Sequence, residues 1–230
     1  MIVAKFPLTP FQQNTRVVAC QKTKLAICID PGERSDELVA YINTRGLTLQ
    51  AITLTHGHLD HIGGTADLKK SFPDAEILLH IDDEDLYYGL PQQPLMMGMP
   101  ASQLAALGFA YDAPPKLTRN WKHGETYDVG ELRFSVRHCP GHTRGHVVLA
   151  EETEKQVFVG DCLFQGSIGR TDLPGGDYDT LIKSITEQIM TLDDETVVYS
   201  GHGPETTVDR ERTSNPFLTG VYQPARGRYM

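Results

Sequence analysis

The stretch "THGHLDHIGG", residues 55–64, sets three histidines and one aspartate within the six positions from His56 to His61. The chain has nine histidines in 230 residues, so a third of them stand in this one turn. The run before it, "LQAITLTH", is apolar and of strand length, and it ends on Thr55 and His56. His56 and His58 are one residue apart, so on extended backbone their side chains face the same way. Asp60 and His61 follow the turn and can face a neighbouring point.

Further runs end in the same manner. "RFSVRHCPGH" runs into His142, "VVYSGH" into His202, and "QVFVGD" into Asp161. Strand ends followed by glycine-rich loops are where folds of helices and strands collect ligands and catalytic groups. The candidates are therefore His56, His58, Asp60, His61, His142, Asp161 and His202, all imidazole or carboxylate. One zinc takes about four ligands, with water in the open position of a catalytic site. Seven protein ligands suit two ions that share a carboxylate and a water. His80, His123, His138 and His146 read as structural, with His146 bracing its loop by hydrogen bonds.

The remaining elements follow from local pattern. "NTRVVACQ" and "KLAICIDPG" read as a hairpin, and "SDELVAYINTRG" as a helix capped by Ser35 and stopped at Gly46. "LDHIGGTADLKKSF" is predicted helical in its second half, and "AEILLH" is a strand. A short helix is expected near Asp82 to Tyr88, then a long loop to Trp121. Across this irregular region Tyr87, Tyr88, Met96, Met97 and Met99 are candidates to line a substrate groove, or else to pack in the core or at a subunit contact. "ETYDVGELRFSVRHCPG" reads as strands joined at a glycine turn, and "HVVLAEETEKQVFVGD" as another hairpin. "YDTLIKSITEQIM" is amphipathic, with Leu181, Ile182, Ile185 and Ile189 on one face. Strand pairs followed by helices, twice over, predict packed sheets with helices outside.

The formal charge is −9, and the one arginine-rich stretch, Arg210 to Arg212, is interrupted by Glu211. A nucleic-acid partner is not expected, because phosphate binding needs a concentrated basic surface. No apolar run approaches the roughly 20 residues of a membrane helix, and no signal-peptide pattern opens the chain. Cys20, Cys28, Cys139 and Cys162 have no CxxC spacing and read as reduced, buried thiols of a cytoplasmic protein.

"THGHLDH", "PGHTRGH", "GDCLF" and "SGHG" resemble, in motif and order, the metallo-β-lactamase superfamily over roughly residues 10–215. The resemblance implies a four-layer αβ/βα sandwich, two mixed β-sheets face to face with helices outside. It also implies a ligand assignment. His56, His58 and His142 would hold a first metal, Asp60, His61 and His202 a second, and Asp161 would bridge. Two divalent ions are implied, with zinc ahead of iron or manganese.

"GDCLFQGSIGRTDLPGGDYDTLIKSI" is similar to glyoxalase II, and "LPQQPLMMGM" and "GHGPETTVDRERTSNPFL" resemble its compact bacterial relatives. That implies a hydrolase acting on a small-molecule thioester, S-D-lactoylglutathione first. The nucleophile would be a bridging water ionised at neutral pH, with Asp60 and Asp161 as the catalytic carboxylates. The 28 residues after His202 are too few for the helical glutathione-binding domain of longer glyoxalase II enzymes, so one domain over residues 1–230 is expected, as a monomer or small homo-oligomer. Arg170, in "IGRTD", stands where longer enzymes carry a basic residue near glutathione. Its alternative role is an ion pair with Asp172 or Asp177. Persulfide dioxygenases share a similar "GRTD" stretch and hold one iron, here through His56, His142 and Asp161. A lactonase would use the same centre on an oxygen ester.

Overall fold

The computed structural model describes residues 1–97, 100–106 and 111–222. Met99 lies outside them, as do the side chains of Met96 and Met97. In chain order the elements are β1 (Ile2–Leu8), β2 (Gln13–Ala19), β3 (Leu25–Ile29), α1 (Asp36–Thr44), β4 (Thr48–Thr53), α2 (Leu59–Ile62), α3 (Thr65–Ser71) and β5 (Glu76–His80). There follow α4 (Glu84–Tyr88), α5 (Ala101–Ala106), β6 (Arg119–Trp121), β7 (Thr126–Val129), β8 (Leu132–His138), β9 (Val147–Glu151) and β10 (Gln156–Gly160). The chain continues with β11 (Leu163–Phe164), β12 (Ser167–Ile168), α6 (Tyr178–Gln188), β13 (Val197–Ser200), β14 (Thr206–Thr207) and α7 (Val208–Ser214).

Two mixed sheets result. The first has the order β1-β2-β3-β4-β5-β6, antiparallel from β1 to β3 and parallel from β3 to β6. The second has the order β14-β13-β10-β9-β8-β7, antiparallel except where β10 pairs with β13. Adjacent residues along each strand face opposite sides. Val18 and Ile27, from the first sheet, meet Val147, Leu149, Phe134 and Phe158, from the second, in an apolar layer between the sheets. Their chain neighbours Val17, Ala26 and Cys28 pack outward against Leu38 and Ile42 of α1. Val148 and Val157 pack outward against Leu181 and Ile185 of α6. This is the αβ/βα sandwich that the resemblance implied. Each large side chain so buried contributes about 1.5–3 kcal/mol by leaving water.

Local chemistry sets the element ends. Ser35 accepts a bond from the Leu38 amide (3.1 Å) to cap α1, and Gly46 takes φ +61° just past its end. Asp177 caps α6 through the Thr180 amide at 2.7 Å. Leu181, Ile185 and Ile189 are fully buried, whereas Ile182 sits at the border of the apolar face.

Some elements differ from expectation. β1, to which no strand is assigned from the sequence, pairs with β2 in register from Ile2 to Leu8. It lies at the sheet edge, where the missing amide of Pro7 is tolerated. β6 closes the same sheet from within the expected long loop, where only three residues pair with β5. Too short for a periodic signal, it is placed by partnership alone. Before it, Leu90–Met97 forms a 3-10 turn and Ala101–Ala106 a short helix. All four cysteines are buried and unpaired. Among the described residues no helix is long and apolar enough to cross a membrane.

Candidate metal centre

The site lies along one edge of the sandwich, where C-terminal ends of strands from both sheets meet. β4 leads into His56 and His58 from the first sheet. From the second, β8 leads to His142, β10 to Asp161 and β13 to His202. The short helix α2 carries Asp60 and His61. The sheets are tied together here by main-chain bonds, from the Val147 amide to the Thr55 carbonyl (2.8 Å) and from the Asn14 amide to the Gly201 carbonyl (2.6 Å).

All seven sequence-predicted residues converge. The donor atoms of His56, His58 and His142 lie within 4.8 Å of one another, and so do those of Asp60, His61 and His202. Asp161 stands between the two sets. Its Oδ1 is 3.3 Å from His61 Nε2, and its Oδ2 is 3.6 Å from His202 Nε2 and 3.9 Å from His142 Nε2. His56 and His61 form a fully buried floor, while His58, Asp60 and His202 are half-buried at the rim. The opening is therefore on the side of Asp60 and His202.

Four of the five histidines, His58 apart, are turned by the bond that the Nδ1 atom makes. His142 Nδ1 donates to the Arg170 carbonyl at 2.8 Å, and His202 Nδ1 to the Phe11 carbonyl at 3.1 Å. His61 Nδ1 donates to Asp30 Oδ2 at 2.9 Å, and His56 Nδ1 meets the Thr55 hydroxyl at 3.0 Å. Each bond leaves the Nε2 lone pair facing inward, the arrangement that orients imidazoles around metal ions. Nε2 of His56, Nε2 of His61 and Oδ1 of Asp161 are buried with no partner of hydrogen-bond geometry. Orphaned polar atoms are costly in a folded core, and three of them among these donor sets fit bound cations. The donor set of imidazoles and carboxylates suits zinc, iron or manganese.

Charge follows the same division. Burial and the neighbouring His142 push His58 down to about 3, and burial with the facing histidines lowers His56 further below its ordinary value. Both are thus neutral ligands at physiological pH. Burial opposes charge on Asp161 and Asp60, but the surrounding imidazoles outweigh it and hold both carboxyls ionised. Burial likewise opposes protonation of His61 and His202, and the adjacent carboxylates overcome it and raise both. The second set thus draws positive charge towards itself, a demand that a divalent ion meets.

Sequence reasoning missed the residues that aim the ligands. Asp30, at the end of β3, accepts from the Thr55 amide (2.7 Å) and hydroxyl (2.6 Å) as well as from His61. Its donor atom also lies near those of His56 and His61, but these bonds make it a positioning residue. Buried Asp83 accepts from the Gly57 amide (2.9 Å), the Thr143 hydroxyl (2.7 Å) and the Gly145 amide (2.6 Å), joining the loops of His58 and His142. Gln93 accepts from the Leu59 amide at 2.9 Å and donates to the Gly57 carbonyl at 2.7 Å. The "CIDPG" strand end carried the signal for Asp30, whereas Asp83 and Gln93 had none in the sequence.

His146 braces, as expected. Its Nε2 accepts from the Asp161 amide (3.1 Å), and its Nδ1 meets Cys162 Sγ at 3.2 Å. Cys162 is fully buried, and burial raises its thiol well above the ordinary range, so it is no nucleophile. Tyr87 is fully buried, with its hydroxyl on the Pro115 carbonyl, so it belongs to the core; Tyr88 is exposed. Arg170 reaches the centre only through its carbonyl. Its exposed guanidinium makes a two-pronged pair with Asp172, both bonds 2.8 Å, while Asp177 is occupied in capping α6.

Gly201 sits where no side chain fits. A Cβ there would lie 2.2 Å from Asp161 Oδ1 and 2.7 Å from His61 Cε1. Gly201→Ala is expected to displace Asp161 and weaken metal retention by about 10–100-fold, the scale of lost ligand orientation. Metal analysis after dialysis, beside an unchanged far-ultraviolet spectrum, checks this; full retention would contradict it.

Two facing sheets with two sets of imidazole and carboxylate donors at their shared edge define a class of metal-binding protein. The model of the metallo-β-lactamase superfamily matches residues 8–202, and the chain belongs to that superfamily. It is 38% identical over 220 residues to the hydroxyacylglutathione hydrolase GloC of Haemophilus influenzae, covering 95% of this chain and 98% of that one. The crystal structure of the BLEG-1 B3 metallo-β-lactamase superposes with a TM-score of 0.82 at 36% identity, covering 95% of this chain and all of that one. The crystal structure of TTHA1623 in a di-iron-bound form superposes with a TM-score of 0.81 at 38% identity, covering 94% of this chain and all of that one.

Proposed function

We propose that the protein is a thioester hydrolase that binds two divalent ions and acts on S-D-lactoylglutathione or a close relative. The observation that carries this reading is Asp161 standing between two three-residue donor sets, with buried, unpartnered atoms aimed inward. The likeness to GloC along nearly the whole chain supports the choice of substrate.

His56, His58 and His142 would hold one ion, Asp60, His61 and His202 the other, and Asp161 would reach both. Bound ions would supply a water ionised at neutral pH and a positive field at the substrate carbonyl. The chain does the rest. Asp161 keeps the donor sets together, its amide fixed by His146. Asp60, ionised and at the rim, is available as an acceptor to orient the water. Buried Asp30, Thr55 and Asp83 keep the ligands from turning away. We assign zinc to the centre first. The di-iron form of TTHA1623 makes iron the direct comparison. The C-terminal stretch "GHGPETTVDRERTSNPFL" favours hydrolysis over the one-iron persulfide dioxygenase chemistry that His56, His142 and Asp161 would carry.

The test is loss of thioester absorbance with S-D-lactoylglutathione and protein loaded separately with zinc or iron. A β-lactam is the comparison substrate, because BLEG-1 is described as a metallo-β-lactamase. Turnover that vanishes with chelator and returns with metal is expected. No turnover on the thioester, with oxygen uptake on a persulfide, would favour the dioxygenase.

Arg170 is the proposed contact for a substrate carboxylate, because its planar fork suits that group. Arg170→Ala is expected to raise KM by up to about tenfold with kcat nearly unchanged, the pattern of a lost binding contact. An unaltered KM would leave the guanidinium as the partner of Asp172 alone.

A further inference from the structure

His80 is the last residue of β5 in the first sheet, and His138 is the last of β8 in the second. Their rings stack across the junction of the sheets, with centroids 4.2 Å apart and planes 10° from parallel. Two residues on from His80, Asp82 brings its Oδ2 to 3.7 Å from His80 Nδ1. One donor atom from each of the three residues lies within 4.8 Å of the others. None of the three belongs to the seven-residue centre.

The surroundings supply the orientation that a metal ligand needs. His138 Nε2 donates to the Arg144 carbonyl at 2.8 Å, which leaves Nδ1 with its lone pair. The His138 amide donates to His123 Nδ1 at 3.1 Å, which holds the backbone in place. His80 is buried apart from its edge, and its Nδ1 receives only a 3.3 Å bond from the Asp82 amide. Burial and the facing His138 lower His80 from its ordinary value, so it is neutral at physiological pH. The Asp82 side chain is half exposed and free to swing, and χ2 of an imidazole is a soft torsion.

We propose that His80, Asp82 and His138 form a separate divalent-metal site, of the borderline class to which zinc belongs, with water completing the coordination. Two imidazoles and a carboxylate are a ligand set for such an ion. The ion would join the ends of β5 and β8 and so staple the two sheets. It would also sit next to Asp83, which holds the loops of His58 and His142. Its role is to stabilise the junction of the two sheets. This inference does not depend on the substrate proposed above.

The experiment titrates zinc-loaded protein with further Zn²⁺ by calorimetry and follows melting with excess Zn²⁺. Wild type is expected to take up one more zinc per chain than either Asp82→Ala or His138→Gln. A hundredfold excess over the dissociation constant is expected to raise the wild-type melting temperature by about 5 °C or more. Both variants should lose that rise and keep wild-type hydrolysis. Asp82→Ala carries the test if His138→Gln disturbs the stack, because among the described residues the Asp82 side chain pairs with His80 alone. Equal uptake and an equal melting response in wild type and Asp82→Ala would overturn the proposal.

Discussion

Asp161→Ala is expected to lower kcat/KM for thioester hydrolysis by about 10³-fold or more and to cost the protein bound metal. Asp161 has oxygens close to members of both donor sets: His61 and His202 on one side, His142 on the other. Removing it takes away the anion that lets cationic groups share this floor. The fold should survive, because the amide of residue 161 stays bonded to His146, and the Gly201 amide to the Gly160 carbonyl at 2.8 Å. Elemental analysis beside steady-state kinetics separates the possibilities. Fewer than two metals with activity lost is the expected result. Two metals with activity retained would remove Asp161 from the centre and with it the two-ion reading.

Asp30 should have the next largest effect, although no substrate or ion touches it. Its carboxylate accepts three bonds, two from Thr55 and one from His61 Nδ1. It also adopts φ +52°, a left-handed conformation that Asp and Asn tolerate and Ala does not favour. Asp30→Ala would leave buried donors without acceptors, at about 1–3 kcal/mol each, so it should unfold well before the wild type. Asp30→Asn is the sharper probe. It keeps the backbone preference and one acceptor oxygen, but an amide NH₂ facing His61 would reverse the bond and put the imidazole proton on Nε2. That nitrogen could then no longer bind an ion. Asp30→Asn is expected to melt near wild type while affinity for the second ion falls about 10–100-fold. Unchanged affinity would mean that His61 does not act through Nε2.

The legible part of this protein was local. Alternation along "NTRVVACQ", "HVVLAEETEKQVFVGD" and the other strands separates the inner apolar layer from the outer ones, because strand period two leaves one face per side. Ser35 marks the start of α1 through its bond to the Leu38 amide, and Gly46 marks its end through a left-handed φ. The seven candidate ligands were legible because His56, His58, His142, Asp161 and His202 stand where strand runs pass into glycine-bearing loops, and Asp60 and His61 complete the close spacing begun at His56. The rest depended on distant partners. β1 has a proline and β6 three residues, so neither has a signal apart from the strand beside it.

The sequence by itself determined which side chains could bind metal and on which strand ends they stand, because residue type and spacing are local properties. Only the tertiary structure decided how they are aimed. Asp30 lies 31 residues from His61 in the chain, and Asp83 lies 60 residues from Thr143, yet each pair is bonded. The same holds for His80 and His138, two unremarkable histidines until packing of the sheets stacks them face to face. Burial, tautomer and donor distance arise only when separate strands meet, and those three quantities turn a set of candidate residues into a centre.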